Sequence, residues 1–246
     1  MEESIFQPYL STKSLFKIDR EILRPSYIPE RLPHREGFID QLAQILATAL
    51  RGERPSNILI FGKTGTGKTA VVKYIENEFR KADAARMVSY LYLNCEIVDT
   101  PYAVLQSIGN RFIENFHQRI PFTGLSTDRV YNLLREKLDE EKRVVIIVLD
   151  EIDKIIAKNG DDLLYQLLKI NDDLAKARVS LIGISNDLKF TEFLDPRVKS
   201  RLADEKVVFP PYNAEELFDI PAERSHLAFD NGTAPDPVLP PTPALA

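Results

Sequence analysis

The 246 residues hold a single cysteine, Cys95, so neither an intrachain disulfide nor a cysteine-based metal site can form. A lone thiol fits a small buried residue in a reducing cytosol. No apolar run approaches the roughly 20 residues needed to cross a bilayer, so no membrane partner is expected. The start, Met1-Glu2-Glu3, is acidic and no apolar stretch follows, which gives no sign of a signal peptide. Excess positive charge is also missing. Lys and Arg number 32 against 37 Asp and Glu, a net charge of −5 that excludes a chain basic all over while permitting a local basic patch. No internal repeat is visible. What remains is a cytoplasmic globular protein, 44% apolar and 28% charged, long enough for one large α/β domain and a fragment of a second.

Five short runs rich in Val, Ile and Leu predict strands at 57–61, 88–93, 144–149, 179–185 and 206–209, the pattern of parallel strands buried on both faces. Helical periodicity fills the gaps at 35–50, 69–82, 101–118, 127–141 and 161–177. In the 101–118 segment Leu105, Ile108, Phe112 and Phe116 form one stripe, with Thr100 as N-cap and Pro101 at the first helical position. Alternating strands and helices predict a doubly wound α/β fold, a five-stranded parallel sheet with helices on both faces. Before it, residues 1–36 form an irregular arm containing Pro25, Pro29 and Pro33. After it, residues 221–246 carry six of the sixteen prolines and show no helical period, which predicts a disordered tail.

Residues 62–69 read Gly-Lys-Thr-Gly-Thr-Gly-Lys-Thr, a complete phosphate loop between an apolar strand and a helical pattern. Gly62, Gly65 and Gly67 let backbone N–H groups close around phosphate oxygens without Cβ clashes, with Lys63, Thr64, Thr66 and Ala70 completing the cradle. Lys68 supplies a point charge for the β- and γ-phosphates, and the Thr69 hydroxyl can ligate Mg²⁺. The helix that begins here adds its positive end to the same anion.

A phosphate loop alone does not separate kinase, GTPase and ATP-driven switch. The run Val144–Leu149 ends in Asp150-Glu151, placing an acid where α/β sheets bind ligands. Asp150 suits Mg²⁺, and Glu151 suits orienting and deprotonating an attacking water. In an isolated context such a pair, with Asp153, reads as solvated charge capping the next helix. One strand later Asn186 stands where it can sense the γ-phosphate, although Asn is also ordinary turn chemistry. Arg197 and Arg201 share a face of a short helix, either as surface charge or as a finger reaching a neighbour's nucleotide.

Together these motifs resemble an AAA+ ATPase. They are most similar to the archaeal replication initiators that combine features of origin-recognition subunits and the cell-division-control helicase loader. The match extends beyond the phosphate site. Tyr27-Ile28-Pro29-Glu30-Arg31-Leu32-Pro33-His34-Arg35-Glu36 resembles the family's N-terminal signature, which wraps the adenine. Pro121-Phe122-Thr123-Gly124-Leu125-Ser126 resembles the segment after the initiator-specific insertion, and Phe209-Pro210-Pro211-Tyr212-Asn213-Ala214-Glu215-Glu216-Leu217 the entry to the lid. The resemblance implies ATP or ADP and Mg²⁺ as cofactors. It implies Leu32, Pro33, His34, Tyr212 and Arg224 as further nucleotide contacts, and Arg201 rather than Arg197 as the finger. It also implies that the 100–118 helix belongs to a DNA-touching insertion. The implied layout is an arm at 1–36, a core at 37–212, a lid-helix remnant at 213–230 interrupted by Pro221, and a Pro-rich tail at 231–246. Family members continue into a full lid and a winged helix, so this chain is expected to be a truncated form.

The function implied is a slowly hydrolysing ATP switch in replication initiation. Its partners would be origin DNA (weakly, for this chain alone), other initiator subunits in trans and the replicative helicase. A nucleotide-loaded scaffold that no longer turns over is the alternative from a binding class. A small-molecule kinase fits less well, because adjacent Asp-Glu suits water activation rather than transfer to a hydroxyl acceptor.

Overall fold

A computed structural model describes residues 24, 27, 29–82 and 87–228. They divide into two compact units, one of Arg35–Pro211 and the other joining the described residues up to His34 with those from Tyr212. The expected disordered tail at 231–246 and most of the expected arm lie outside the described residues.

The larger unit is a five-stranded, wholly parallel sheet of β1 (Ile58–Phe61), β2 (Val88–Asn94), β3 (Val144–Asp150), β4 (Arg178–Ser185) and β5 (Glu205–Val208), in the order β2-β3-β4-β1-β5. Every residue of β3 is buried, as its unbroken apolar run requires of a central parallel strand. On one face Leu59, Val145, Ile147, Leu149 and Leu181 pack under α3 (Pro101–Asn110), α4 (Thr127–Leu138), α5 (Ile152–Asn159), α6 (Asp162–Lys169) and α7 (Pro196–Leu202). The opposite face buries Ile58, Ile60, Ile146, Val148 and Ile184, together with Leu42 and Leu46 of α1 (Glu36–Leu46) and Val71, Val72 and Ile75 of α2 (Lys68–Lys81). Buried Asn57 joins the strands at their entry. Its amide donates to the Arg201 carbonyl at 2.8 Å, and its side-chain oxygen accepts from Leu181 N–H at 2.9 Å.

Two helical expectations are corrected and one unexpected helix appears. The segment expected as one helix over 101–118 keeps its Thr100 cap, whose hydroxyl accepts from Ala103 N–H, but α3 ends at Asn110. The chain doubles back, and the Asn110 side chain accepts from Ile120 N–H at 2.8 Å and donates to Ile120 O at 3.1 Å. Gly109 permits this return, since a Cβ there would lie 2.6 Å from Ile120 Cδ1. Phe116 therefore leaves the predicted apolar stripe and stands exposed in a single 3₁₀ turn, Phe116–Gln118. The segment expected at 161–177 splits into α6 and a 3₁₀ turn, Ile170–Asp172, because Asn171 turns its amide to Val179 and ties the chain to β4. A helix missed in the sequence, α5, fills Ile152–Asn159.

In the smaller unit α8 runs over Ala214–Ala228 without a break at Pro221. Asn213 and Glu216 cap it reciprocally, each side chain accepting from the other's N–H at 2.9 Å. Proline's fixed φ of about −65° is itself helical, so Pro221 costs a missing donor and crowding at Leu217 O rather than a chain reversal. The expectations of an interruption at Pro221 and of disorder from residue 221 are both corrected to this extent. Among the described residues no helix is long and apolar enough to cross a membrane.

Candidate nucleotide site

β1 delivers the chain at Phe61 into the loop 62–67, and α2 begins at Lys68. Gly65 and Gly67 take φ of +82° and +87°, the left-handed region where a side chain costs energy and which turns successive N–H groups toward one point. Gly62 is needed for a different reason, since a Cβ there would stand 2.7 Å from the Phe209 carbonyl oxygen. Lys63, Thr64 and Gly65 are exposed at the crest, whereas Thr66 is buried and its hydroxyl donates to Lys63 O at 2.9 Å. Arg35 braces the loop from behind. Its Nε donates to Thr66 O at 2.9 Å and its Nη2 to Pro210 O at 3.0 Å, while its guanidinium lies over the stacked Phe38 and Phe209 rings.

Lys68 is buried, and its ammonium donates to Gly62 O at 2.8 Å, Lys63 O at 2.9 Å and Asn186 Oδ1 at 2.8 Å. All three acceptors are neutral. Burial lowers the pKa of Lys68, with Asp150, Asp153 and Glu151 opposing from a distance. A cation so desolvated, with only neutral groups on its protons, fits an anionic phosphate.

The Thr69 hydroxyl donates to Asp150 Oδ2 at 2.7 Å. Their oxygens come from the first turn of α2 and the end of β3, and hard oxygen donors of this kind suit Mg²⁺. Two more donors hold the same carboxylate, Tyr92 OH to Oδ2 at 2.6 Å and Glu151 N–H to Oδ1 at 2.9 Å. Glu151 itself sits at φ 53°, ψ 43°, a left-handed conformation uncommon for a non-glycine residue. Such strain persists where the surroundings enforce it. Burial first, then Glu96 and Asp150, raises the Glu151 carboxyl above its ordinary pKa.

Asn186 is fixed where β4 ends, next to Ser185, whose hydroxyl donates to Asp153 Oδ1 at 2.8 Å. The same Asp153 oxygen accepts from Asn186 N–H at 3.4 Å. The ends of β1, β3 and β4 are thus joined by side-chain hydrogen bonds through Lys68, Thr69, Asp150 and Asn186. Arg201 is not among them. It is exposed on α7 with its guanidinium 3.5 Å from Asp172, while Arg197 is engaged by Asp195 at 3.0 Å and lies over the Tyr165 ring. Leu32, Pro33, His34, Tyr212 and Arg224 belong to the smaller unit, where His34 Nε2 lies 2.9 Å from Asp219 Oδ2.

Sequence reasoning missed Tyr92 and Arg35 as supports of the site. Alternation in β2 places Tyr90 and Tyr92 on one face, but nothing local says that a neighbouring strand will set an acid beside the second. Arg35 was visible only as part of a proline-rich signature.

Comparison with known proteins fits this geometry. An AAA-domain family model matches residues 51–189, more than half of the chain. The chain is similar to the ORC1-type DNA replication protein of Thermococcus onnurineus, 52% identical over 99% of this chain and 59% of that protein. It is 50% identical to ORC1-type DNA replication protein 1 of Methanosarcina mazei, over 99% of this chain and 58% of that one. Among solved structures it superposes on Aeropyrum pernix ORC1 in complex with DNA at a TM-score of 0.81 and 44% identity, covering 90% of this chain and 56% of that one. The chain spans just under three-fifths of the length of these curated relatives. A phosphate loop tied to an acidic strand end and a polar strand end, on this sheet order and with this match, has one reading: the chain belongs to the AAA-domain family of P-loop ATPases.

Proposed function

We propose that this chain is an ATP-binding switch of DNA replication initiation, which binds ATP with Mg²⁺ and hydrolyses it slowly. The observation that carries the reading is the hydrogen-bonded set Lys68–Asn186 and Thr69–Asp150, which gathers an anion seat, a cation seat and a polar sensor at three adjacent strand ends. Names of relatives supply the biological setting, since ORC1-type replication proteins match almost the whole chain.

The residues present fit nucleotide and Mg²⁺. The amides of 62–67 and the Lys68 ammonium would hold the phosphates, and Thr69 and Asp150 would hold Mg²⁺, whose chemistry is to offset charge on the phosphate oxygens. Glu151, raised in pKa and held at a strained turn, is the base that takes a proton from water. Asn186 would report occupancy through the hydrogen bond it accepts from Lys68. Leu32, Pro33, His34, Tyr212 and Arg224 are proposed as further nucleotide contacts, and Arg201 to act in trans.

Partners in this reading are other initiator subunits, the replicative helicase and origin DNA. For DNA, the exposed turn Phe116–Gln118 offers an aromatic flanked by Arg119, whose guanidinium lies over the Phe116 ring. Calorimetric titration of ATP into the chain, with and without Mg²⁺, tests the core of the proposal. One-to-one binding that tightens with Mg²⁺ is expected, and no binding under either condition contradicts it.

A further inference from the structure

Tyr92 belongs to no phosphate-binding motif, yet its hydroxyl reaches the acid at the centre of the site. On β2, Tyr90 and Tyr92 project toward α2. The Tyr90 hydroxyl donates to the Val72 carbonyl at 3.1 Å, and the Lys73 ammonium lies 4.7 Å from the Tyr92 ring centroid. β2 pairs with β3 so that Tyr92 faces Val148 and Asn94 faces Asp150, which puts Tyr92 and Asp150 on the same face of adjacent strands, two residues apart in register. From there the phenol donates to Asp150 Oδ2 at 2.6 Å, the oxygen that also accepts from Thr69. With Glu151 N–H on Oδ1, three donors fix the carboxylate. Thr69 must share its oxygen with a cation, and the Glu151 donor is backbone attached to the same strand end. Tyr92 is the one donor of the three that comes from a neighbouring strand, so it restrains rotation of the carboxylate away from Thr69 independently of the other two.

We propose that Tyr92 is a positioning residue for the divalent-cation site, holding the Asp150 carboxylate toward Thr69, with Lys73 steadying the phenol ring from its face. The inference rests on the reading that Thr69 and Asp150 serve Mg²⁺ beside a nucleotide. Without the phenol, Oδ2 loses one of its two donors and the carboxylate turns toward water, so an arriving cation must reorder it. The deficit falls on Mg²⁺ dependence and not on Mg²⁺-free nucleotide binding, which relies on the loop amides and Lys68.

The test is titration of a fluorescent N-methylanthraniloyl-ADP at graded Mg²⁺ and in EDTA, for wild type, Tyr92→Phe, Asp150→Asn and the double variant. Tyr92→Phe is expected to keep its EDTA affinity within about twofold and to raise the half-saturating Mg²⁺ concentration by roughly three- to tenfold, the scale of the net contribution of one hydrogen bond. In the Asp150→Asn background, Tyr92→Phe should add no further shift, since its effect passes through that carboxylate. Lys73→Gln, which removes the ammonium over the ring face, should move the midpoint the same way by about twofold. An unchanged midpoint in both Tyr92→Phe and Lys73→Gln overturns the proposal, as does an equal loss of affinity with and without Mg²⁺. Wild-type binding indifferent to Mg²⁺ would instead overturn the underlying reading of Thr69 and Asp150, and this inference with it.

Discussion

Lys68 Nζ donates to Asn186 Oδ1 at 2.8 Å, so the ammonium is held by the polar end of β4, the strand that lies between β3 and β1 in the sheet. In the proposed reading an arriving phosphate would compete with Asn186 for this ammonium.

Asn186→Ala should leave nucleotide affinity within a few-fold of wild type, because the loop amides and Lys68 remain. Hydrolysis should fall by roughly a hundred- to a thousandfold, the range seen when one preorganised donor is removed. Single-turnover measurement at saturating ATP reads the difference. Full-rate hydrolysis would remove Asn186 from the machinery.

Glu151→Gln should retain ATP and Mg²⁺ but lose hydrolysis, since an amide cannot take the proton from water. In wild type the base works only when ionised. Burial and the neighbouring carboxylates raise its pKa, so activity should fade on acidification at a pH above the ordinary carboxylate value of about 4.3. Rate–pH profiles under saturating nucleotide check this. A wild-type rate in Glu151→Gln would place the base elsewhere.

The chain alone should turn over weakly, and mixing it with a full-length ORC1-type protein should raise the rate. Arginine fingers are worth about 10³–10⁵ in GTPases. Arg201 is exposed on α7 and paired with exposed Asp172 at 3.5 Å, a weak contact to give up, whereas Arg197 is held by Asp195 at 3.0 Å and lies over the Tyr165 ring. Arg201→Ala should abolish the stimulation. If the gain survives that substitution, the finger is another residue.

DNA binding by this chain should be weak and little dependent on sequence. The basic residues near the Phe116–Gln118 turn, Arg111, His117, Arg119 and Arg129, are few and interleaved with Glu114 and Asp128. Such a patch neutralises only a few phosphates, and log affinity should fall by about 0.9 per contact for each unit of log salt. Titrating an origin-like and a random duplex at several salt concentrations decides it. Tight, selective binding at physiological salt contradicts this expectation.

The parts of the site that were legible in the sequence are those encoded by neighbours in the chain. The glycine loop, the Lys68-Thr69 pair and the acid ending β3 each depend on a strand, a turn and a helix in immediate succession, so composition and period reveal them. The same holds for β1, β3 and β4, whose apolar runs are buried almost throughout, whereas β2 and β5 at the sheet edges are only partly buried. What escaped was set by tertiary contacts. The α3 end depends on Asn110 meeting Ile120 across a returning chain, and the short α5 has too few residues for a period to stand out. Tyr92 became a partner of Asp150 only through the β2–β3 register, and Arg35 reached Thr66 and Pro210 from 31 and 175 residues away. The helix through Pro221 escaped because a local penalty was read as decisive, when capping by Asn213 and Glu216 offsets part of it.

The central claim is that the loop at 62–69 is an anion seat whose charge is Lys68, and the most direct measurement is ATP binding by Lys68→Ala beside wild type, with the thermal midpoint of each. Lys68 contributes charge at high desolvation cost and not core volume, so the nucleotide-free variant should melt within about 4 °C of wild type, equivalent to roughly 1 kcal/mol for a chain of this size. ATP should bind wild type and raise its midpoint, and in Lys68→Ala both the binding and the rise should be lost. A folded Lys68→Ala chain that binds ATP with undiminished affinity would contradict the account at its base.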